Sequence, residues 1–269
     1  MRKLLIAFLI PCLFLLPILT HAVYEVTIYP TDDAYVVVDL TDPTDRLGLR
    51  TLNTGDFNFT KVWYAWNITG KGELVISYAL FKFDLHNISA RDVISAKLEL
   101  TVYNVRLTGA SREVVLFKGI NNTWSESTVN FNNHPGFDPN DTVSIVILPI
   151  AKTYSWNVTK WVKENAGGQL TIYVSFKRLF RNNEEQVVFV SRNYPDPKYK
   201  PKLVVELIGE APPKKGEAQP FVDPFILAAV VGAVAVAFVA FVFLRRRRKV
   251  EEKKEKRPVR RPRRRAKKA

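Results

Sequence analysis

Three histidines, one cysteine and a scatter of carboxylates are the side chains in this sequence best suited to acid–base, nucleophilic or metal chemistry. His21, His86 and His134 stand far apart, and Cys12 is the only cysteine. Zinc sites are built mainly on closely spaced Cys and His, and with no paired-His spacing and no cysteine beyond Cys12 we expect none. No Gly-x-Ser-x-Gly turn and no Ser/His/Asp arrangement is present. Paired carboxylates for glycoside hydrolysis are assembled in space rather than in sequence. Asp32, Asp33, Asp84, Glu126 and Asp138 each read as turn or hydrogen-bonding residues, so we expect no enzyme. Hard cations need clustered oxygen ligands. The stretches "TDDAY" and "DLTDPTD" supply them, and calcium on Asp32, Asp33 and Asp39 is the one cofactor the sequence offers.

A different chemistry is written in the aromatics. Sugar rings present apolar C–H faces that stack on flat aromatic surfaces, while amides and charges take the hydroxyls. "KVWYAWNITG" places Trp63, Tyr64 and Trp66 within four residues, and "SRNYPDP" adds Arg192 and Tyr194 in a loop. In an extended strand Tyr64 and Trp66 share a face, and one of the two tryptophans is needed for the core. We therefore take Trp63, Tyr64, Trp66, Arg192 and Tyr194 as ligand-binding candidates.

The elements that must position these groups are strands. "ISAKLELTV" sets Ile94, Ala96, Leu98, Leu100 and Val102 against Lys97, Glu99 and Thr101, the period of a half-buried strand. "QLTIYVSFK" alternates Leu170, Ile172, Val174 and Phe176 in the same way, and "SYALFKFDL" alternates Ala79, Phe81, Phe83 and Leu85. With "VYEVTIY", "AYVVVD", "REVVLFKGI", "TVSIVIL", "EQVVFVSR" and "PKLVVELIG" this makes nine or ten strands, and the one short helical run is "VTKWVKEN". The pattern predicts an all-β, antiparallel β-sandwich of jelly-roll type. "NNTWSESTVNFNNHPGFDPNDT", residues 121–142, is loop by composition yet carries Trp124, Phe131 and Phe137, aromatics that need a partner.

Both ends of the chain read as membrane signals. Residues 1–22 have a basic start, an apolar run and a small residue at Ala22, the form of a secretory signal peptide. Residues 23–209 are the sandwich ectodomain, and 210–222, containing "EAPPKKGEAQP", is a linker. Residues 223–244 are expected to form a transmembrane helix, whose run 225–244 is apolar and uncharged and is followed at once by "RRRRK". The positive-inside rule puts the tail, 245–269, in the cytoplasm of a single-pass plasma-membrane protein, with the ectodomain outside.

The formal net charge of +14 belongs almost wholly to that tail, which alone carries +13, whereas residues 23–244 carry −1. The tail suits anionic lipid. No aromatic is interleaved there to stack on bases, so no nucleic-acid partner is expected. Asn58, Asn67, Asn87, Asn121 and Asn140 head glycosylation sequons that fit an outside location. Asn157 heads a sixth, in what reads as a packed segment.

The order of motifs adds a resemblance. "DDAYV", "ALFKFDLHNISARDVISAKLEL", "WSESTVNFNNHP", "WNVTKWVKENAGGQLTIYVSF" and "VVFVSRNYPDPKYKPKLVVEL" follow one another over about residues 30–208. The chain thereby resembles the DNRLRE-domain family, also grouped as carbohydrate-binding module family 96. It departs from the family pattern at Asn157 and Asn193, where that pattern has acidic residues, and in "TLNTGDFNFTKVWYAWNITG". The resemblance implies a module that binds a polysaccharide or surface glycan; with the anchor and the missing catalytic groups read above, we expect a non-catalytic, membrane-anchored binding protein. It also implies that Trp124 and Phe131 plug one end of the sandwich and that Trp156, Val158, Trp161 and Val162 point inward. The alternative is an adhesive module that packs against other envelope proteins.

Overall fold

The computed structural model describes residues 22–209. Apart from Ala22, the expected leader, linker, span and tail lie outside the described residues, among which no helix is long and apolar enough to cross a membrane.

Eleven strands follow in order: β1 (Ala22–Ile28), β2 (Asp32–Asp39), β3 (Phe59–Trp66), β4 (Leu74–Asp84), β5 (Val93–Arg106), β6 (Arg112–Gly119), β7 (Phe137–Ile147), β8 (Thr153–Asn157), β9 (Gln169–Phe176), β10 (Asn183–Val190) and β11 (Lys202–Gly209). A short helix, α1 (Thr159–Asn165), lies between β8 and β9. All pairings are antiparallel, along β1-β11-β5-β10-β3-β4-β9-β6-β7, with β2 on β4 and β8 on β5.

Two strands fold this one sheet over on itself in the manner of a sandwich. β4 holds β2 along one edge, from Asp32↔Lys82 to Asp39↔Val75. On its other edge β3 occupies Leu74–Ser77 and β9 takes over from Ala79 to Asp84. β5 pairs with β11 through its first half and with β10 through its last residues. The two arms meet face to face, and Tyr64 of β3 touches Phe176 of β9 edge-on at 5.4 Å.

The expected alternation carries this packing. Leu98, Leu100 and Val102 of β5, Phe81 and Phe83 of β4, and Ile172 and Val174 of β9 are buried in one cluster with Trp156, Trp161 and Val162. Ile94 is the exception, at 44% exposed. The register slips between Glu206 and Leu207, and Val93 rather than Ile94 then faces the core. That is what a β-bulge does: the added residue reverses the faces beyond it. β8 also departs from expectation, since a strand stands where the sequence suggests only the approach to α1.

The loop before β7 ends as a plug. Trp124 and Val129 are buried with Ala34, Val36, Leu80 and Tyr173 in a second cluster, with Phe131 and Phe137 packed against it. The Trp124 indole donates to Thr171 Oγ1 at 2.9 Å. A Cβ on Gly55 would collide with the Glu126 carbonyl, so only glycine lets the segment before β3 lie this close to the plug. Every strand partner and core residue named here lies between 22 and 209, and the first of the chain's two compact units ends at Ala211. This stretch therefore holds a complete core and can be prepared alone.

Candidate functional site

β3 sorts the predicted aromatics by parity. Its partner β10 sends Val187 and Phe189 into the core, and Val187 stands opposite Val62. Even-numbered residues of β3 therefore face inward. Tyr64 is completely buried, and its hydroxyl donates to Glu185 Oε2 at 3.1 Å. Trp66 is half-buried on that same face, against the core. Tyr64 and Trp66 do share a face, as the sequence suggests, but it is the core face. Tyr64 offers no ring to a ligand, which corrects its place among the candidates.

Odd-numbered residues point out. Phe59, Lys61 and Trp63 follow one another at about 6.6 Å, so their stripe is about 13 Å long. Residues opposite on neighbouring strands share this face: Val190 beside Phe59, Val188 and Asn104 beside Lys61, Gln186 and Arg106 beside Trp63. The Lys61 ammonium lies 4.6 Å from the Trp63 ring centroid and 5.6 Å from that of Tyr35. Burial lowers the Lys61 pKa, partly offset by the nearby Glu184 charge. The Trp63 indole donates to Glu184 Oε1 at 3.1 Å, and Glu184 also pairs with Arg106 at 3.1 Å.

The Phe59 end is richer in rings. Phe59 stands 4.3 Å from Tyr103 and 5.7 Å from Tyr194, with Tyr103 and Tyr194 at 6.4 Å. Beside them opens a cleft of about 240 Å³, lined by Tyr103, Tyr194, Tyr199, Lys152, Thr101 and Thr153. Tyr103 is 53% exposed. Rings, threonine hydroxyls and a lysine around one cleft form a surface able to stack on and hydrogen-bond a polyhydroxylated ring.

Arg192 does not join Tyr194 there. Its guanidinium bonds the Thr31 carbonyl and reaches Glu126 Oε2 at 3.1 Å, tying the plug to the start of β2. Of the five predicted ligand residues, the face thus gathers Trp63 and Tyr194. It adds Phe59, Lys61, Tyr103 and Tyr199, which the sequence reading did not single out. Phe59 was accessible in principle, because Phe59, Lys61 and Trp63 alternate in "FTKVW". Tyr103 reaches the face only through the pairing of β5 with β10.

The three aspartates assigned to calcium are not brought together. Asp32 and Asp39 lie at opposite ends of β2. Asp32 accepts from Lys82 Nζ at 2.8 Å and from the Glu126 N–H at 3.1 Å. Burial alone would raise its pKa, but these bonds outweigh it and hold the carboxyl below its ordinary value. Asp33, almost fully buried, accepts from Ser191 Oγ at 2.9 Å and from the Arg192 N–H at 2.6 Å. Burial pushes its pKa up to about 7 against those bonds. Asp39 accepts from the Thr41 N–H at 2.9 Å. Among the described residues no three Asp, Glu, His or Cys side chains are grouped as a metal cage requires.

Asn58, Asn87, Asn121 and Asn140 are exposed, and so is Asn157, contrary to the packed surroundings expected for it. Asn67 is half-buried, and its amide donates to Asn182 Oδ1 at 2.5 Å.

The family model of carbohydrate-binding module family 96 matches residues 24–207. A search of curated proteins gave no match.

Proposed function

The chain belongs to carbohydrate-binding module family 96, and from this premise we propose that residues 23–209 bind a polysaccharide on the outward face of β3. The observation that carries the reading is the run of outward rings from Trp63 through Phe59 to Tyr103 and Tyr194, ending in the cleft. No catalytic role is proposed. The buried acids Asp33 and Glu185 are bound by Ser191 and the Arg192 amide and by Arg112 and Thr108, and neither lines this cleft. The module is tethered to a plasma membrane by residues 223–244, with the binding face outside the cell. Single sites of this kind are weak, in the roughly micromolar to millimolar range, and many copies on one surface raise the avidity.

The test is affinity electrophoresis of the 23–209 fragment in gels of neutral and uronic-acid polysaccharides, with and without calcium. Each stacked ring is worth on the order of 1 kcal/mol, about fivefold in affinity. Trp63→Ala and Tyr103→Ala should each weaken retention by about that factor. Tyr103→Ala should leave the melting temperature nearly unmoved, since the ring is half in solvent. Retention equal to wild type in both variants, or none for wild type on any gel, would remove the reading.

A second expectation concerns topology. Protease added to intact cells should digest the ectodomain and leave residues 245–269 protected, because the uncharged run is followed by five basic residues. Detection of a tail epitope from outside, without permeabilisation, would contradict it.

A further inference from the structure

The loops at the Trp66 end of β3 form a tip unlike the rest of the surface. Three connections meet there: residues 67–73 after β3, 107–111 after β5, and 177–182 after β9. Asn67 bonds Asn182 at 2.5 Å, Thr108 donates its N–H to Glu185 Oε1 at 2.9 Å, and the Arg112 guanidinium lies 4.3 Å from the Phe180 ring centroid. The tip presents large apolar side chains to solvent, with Ile68 47% and Phe180 42% exposed.

Cations surround those side chains. Arg106 is matched by Glu184, Arg112 by Glu185 and Lys177 by Glu113. Lys71, Arg178 and Arg181 make no ion pair within 4 Å among the described residues, although the Arg178 charge acts on Glu113, and all three are exposed. The remaining acid of the tip, Glu73, accepts from the Thr69 hydroxyl at 3.0 Å and keeps its negative charge, which such bonds favour. With six basic residues (Lys71, Arg106, Arg112, Lys177, Arg178 and Arg181) against four acids (Glu73, Glu113, Glu184 and Glu185), the tip carries a net charge of +2 beside its exposed apolar side chains.

We propose that this tip docks onto an anionic lipid surface, with Phe180 and Ile68 entering the headgroup region and Lys71, Arg178 and Arg181 held at the lipid phosphates. A soluble polyanion would use the cations but leave the apolar side chains idle, so the lipid surface accounts for both. The tip is separate from the cleft, which opens at the Phe59 end of β3. It is also remote from the point where the chain leaves the domain: β5 begins at Val93, opposite Leu207, and ends at Arg106, opposite Gln186 beside the tip. A glycan on Asn67 would hold the tip off, so docking requires Asn67 to stay in its pair with Asn182.

The test is co-sedimentation of the 23–209 fragment with vesicles of phosphatidylcholine alone and with about a third phosphatidylglycerol. We expect retention on the anionic vesicles only. Each basic residue near such a surface contributes enough that Arg178→Ala with Arg181→Ala should weaken partitioning by roughly tenfold or more. Phe180→Ser should weaken it by a similar factor through lost apolar burial. Ile68→Ser, which does not touch Arg112, is the second apolar variant, and melting curves confirm that all variants fold. No retention on anionic vesicles overturns the proposal. Retention that depends on the arginines but is indifferent to both serine variants overturns it in favour of a soluble polyanion. Occupancy of Asn67 by a glycan in the native protein, read by mass spectrometry, overturns it as well. Polysaccharide retention in gels is measured on the same variants and should not change, which separates this site from the β3 face.

Discussion

Replacing Trp161 with alanine is expected to cost about 3–5 kcal/mol of stability, and Trp124→Ala about the same. For a domain of this size that is a fall in melting temperature of roughly 10 °C. Trp161 is 1% exposed and lies in the main core beside Val162, projected from α1. Removing its indole leaves a void that the surrounding strands, fixed by their ladders, can only partly close. Trp124 is 6% exposed in the second cluster and donates to Thr171 Oγ1, so its loss removes packing and a bond together. Lys82 lies over the Trp124 ring at 5.0 Å and bonds the Trp124 carbonyl, and that lysine would lose its cover. A thermal melt beside polysaccharide retention separates the roles. Trp124→Ala with unchanged melting temperature but lost retention would make it a ligand residue rather than the plug.

The other large effect is expected at Glu185. This carboxylate is completely buried. It accepts from Tyr64, from the Thr108 amide and hydroxyl, and from two nitrogens of Arg112, one of them at 2.7 Å. Glu185→Ala leaves the mostly buried Arg112 charge and the Tyr64 hydroxyl without their partner, and breaking such a pair costs roughly 3–5 kcal/mol. Replacing Arg112 and Glu185 together by apolar residues of similar size should cost far less, because no lone charge remains.

The pH dependence follows from the same bonds. Burial alone would raise the Glu185 pKa, but Arg112 and Thr108 outweigh it and the folded value lies below the ordinary 4.5. Its stabilising contribution is therefore complete above that ordinary value and is lost as pH falls through the folded one. Urea unfolding of wild type and Glu185→Gln across that range should show the difference between them shrinking as pH falls. A constant difference would mean that Glu185 is not ionised in the fold.

The all-β class, the antiparallel pairing and most strand positions were legible because alternation is written locally. "QLTIYVSFK" becomes β9 with its stated residues inward, and "VTKWVKEN" becomes α1. What escaped depends on pairing between distant strands. The outward direction of Trp63 is fixed by β10, the burial of Tyr64 by the same register, and the outward turn of Ile94 by a bulge against β11. The cleft draws Tyr103, Lys152 and Tyr194 from three separate stretches, and no spacing in the sequence joins them. Arg192 shares the "SRNYPDP" loop with Tyr194 in the sequence, yet in the fold its guanidinium turns to Glu126 and the Thr31 carbonyl instead.

The pairing of β11 also bears on mechanics. β11 lies between β1 and β5 and ends at Gly209, opposite Ala22, while its start at Lys202 follows the turn that carries Tyr194 and Tyr199. In the tethered, polysaccharide-binding arrangement proposed above, a polymer held in the cleft and a pull on Gly209 would load the strand along its length. Both ladders, from Leu203 opposite Ile28 to Gly209 opposite Ala22 and from Lys202 opposite Glu99 to Leu207 opposite Val93, then bear force in shear. Shear strains many bonds at once, whereas peeling from one end breaks them singly. In that proposed arrangement β11 is thus the element placed to resist detachment under drag.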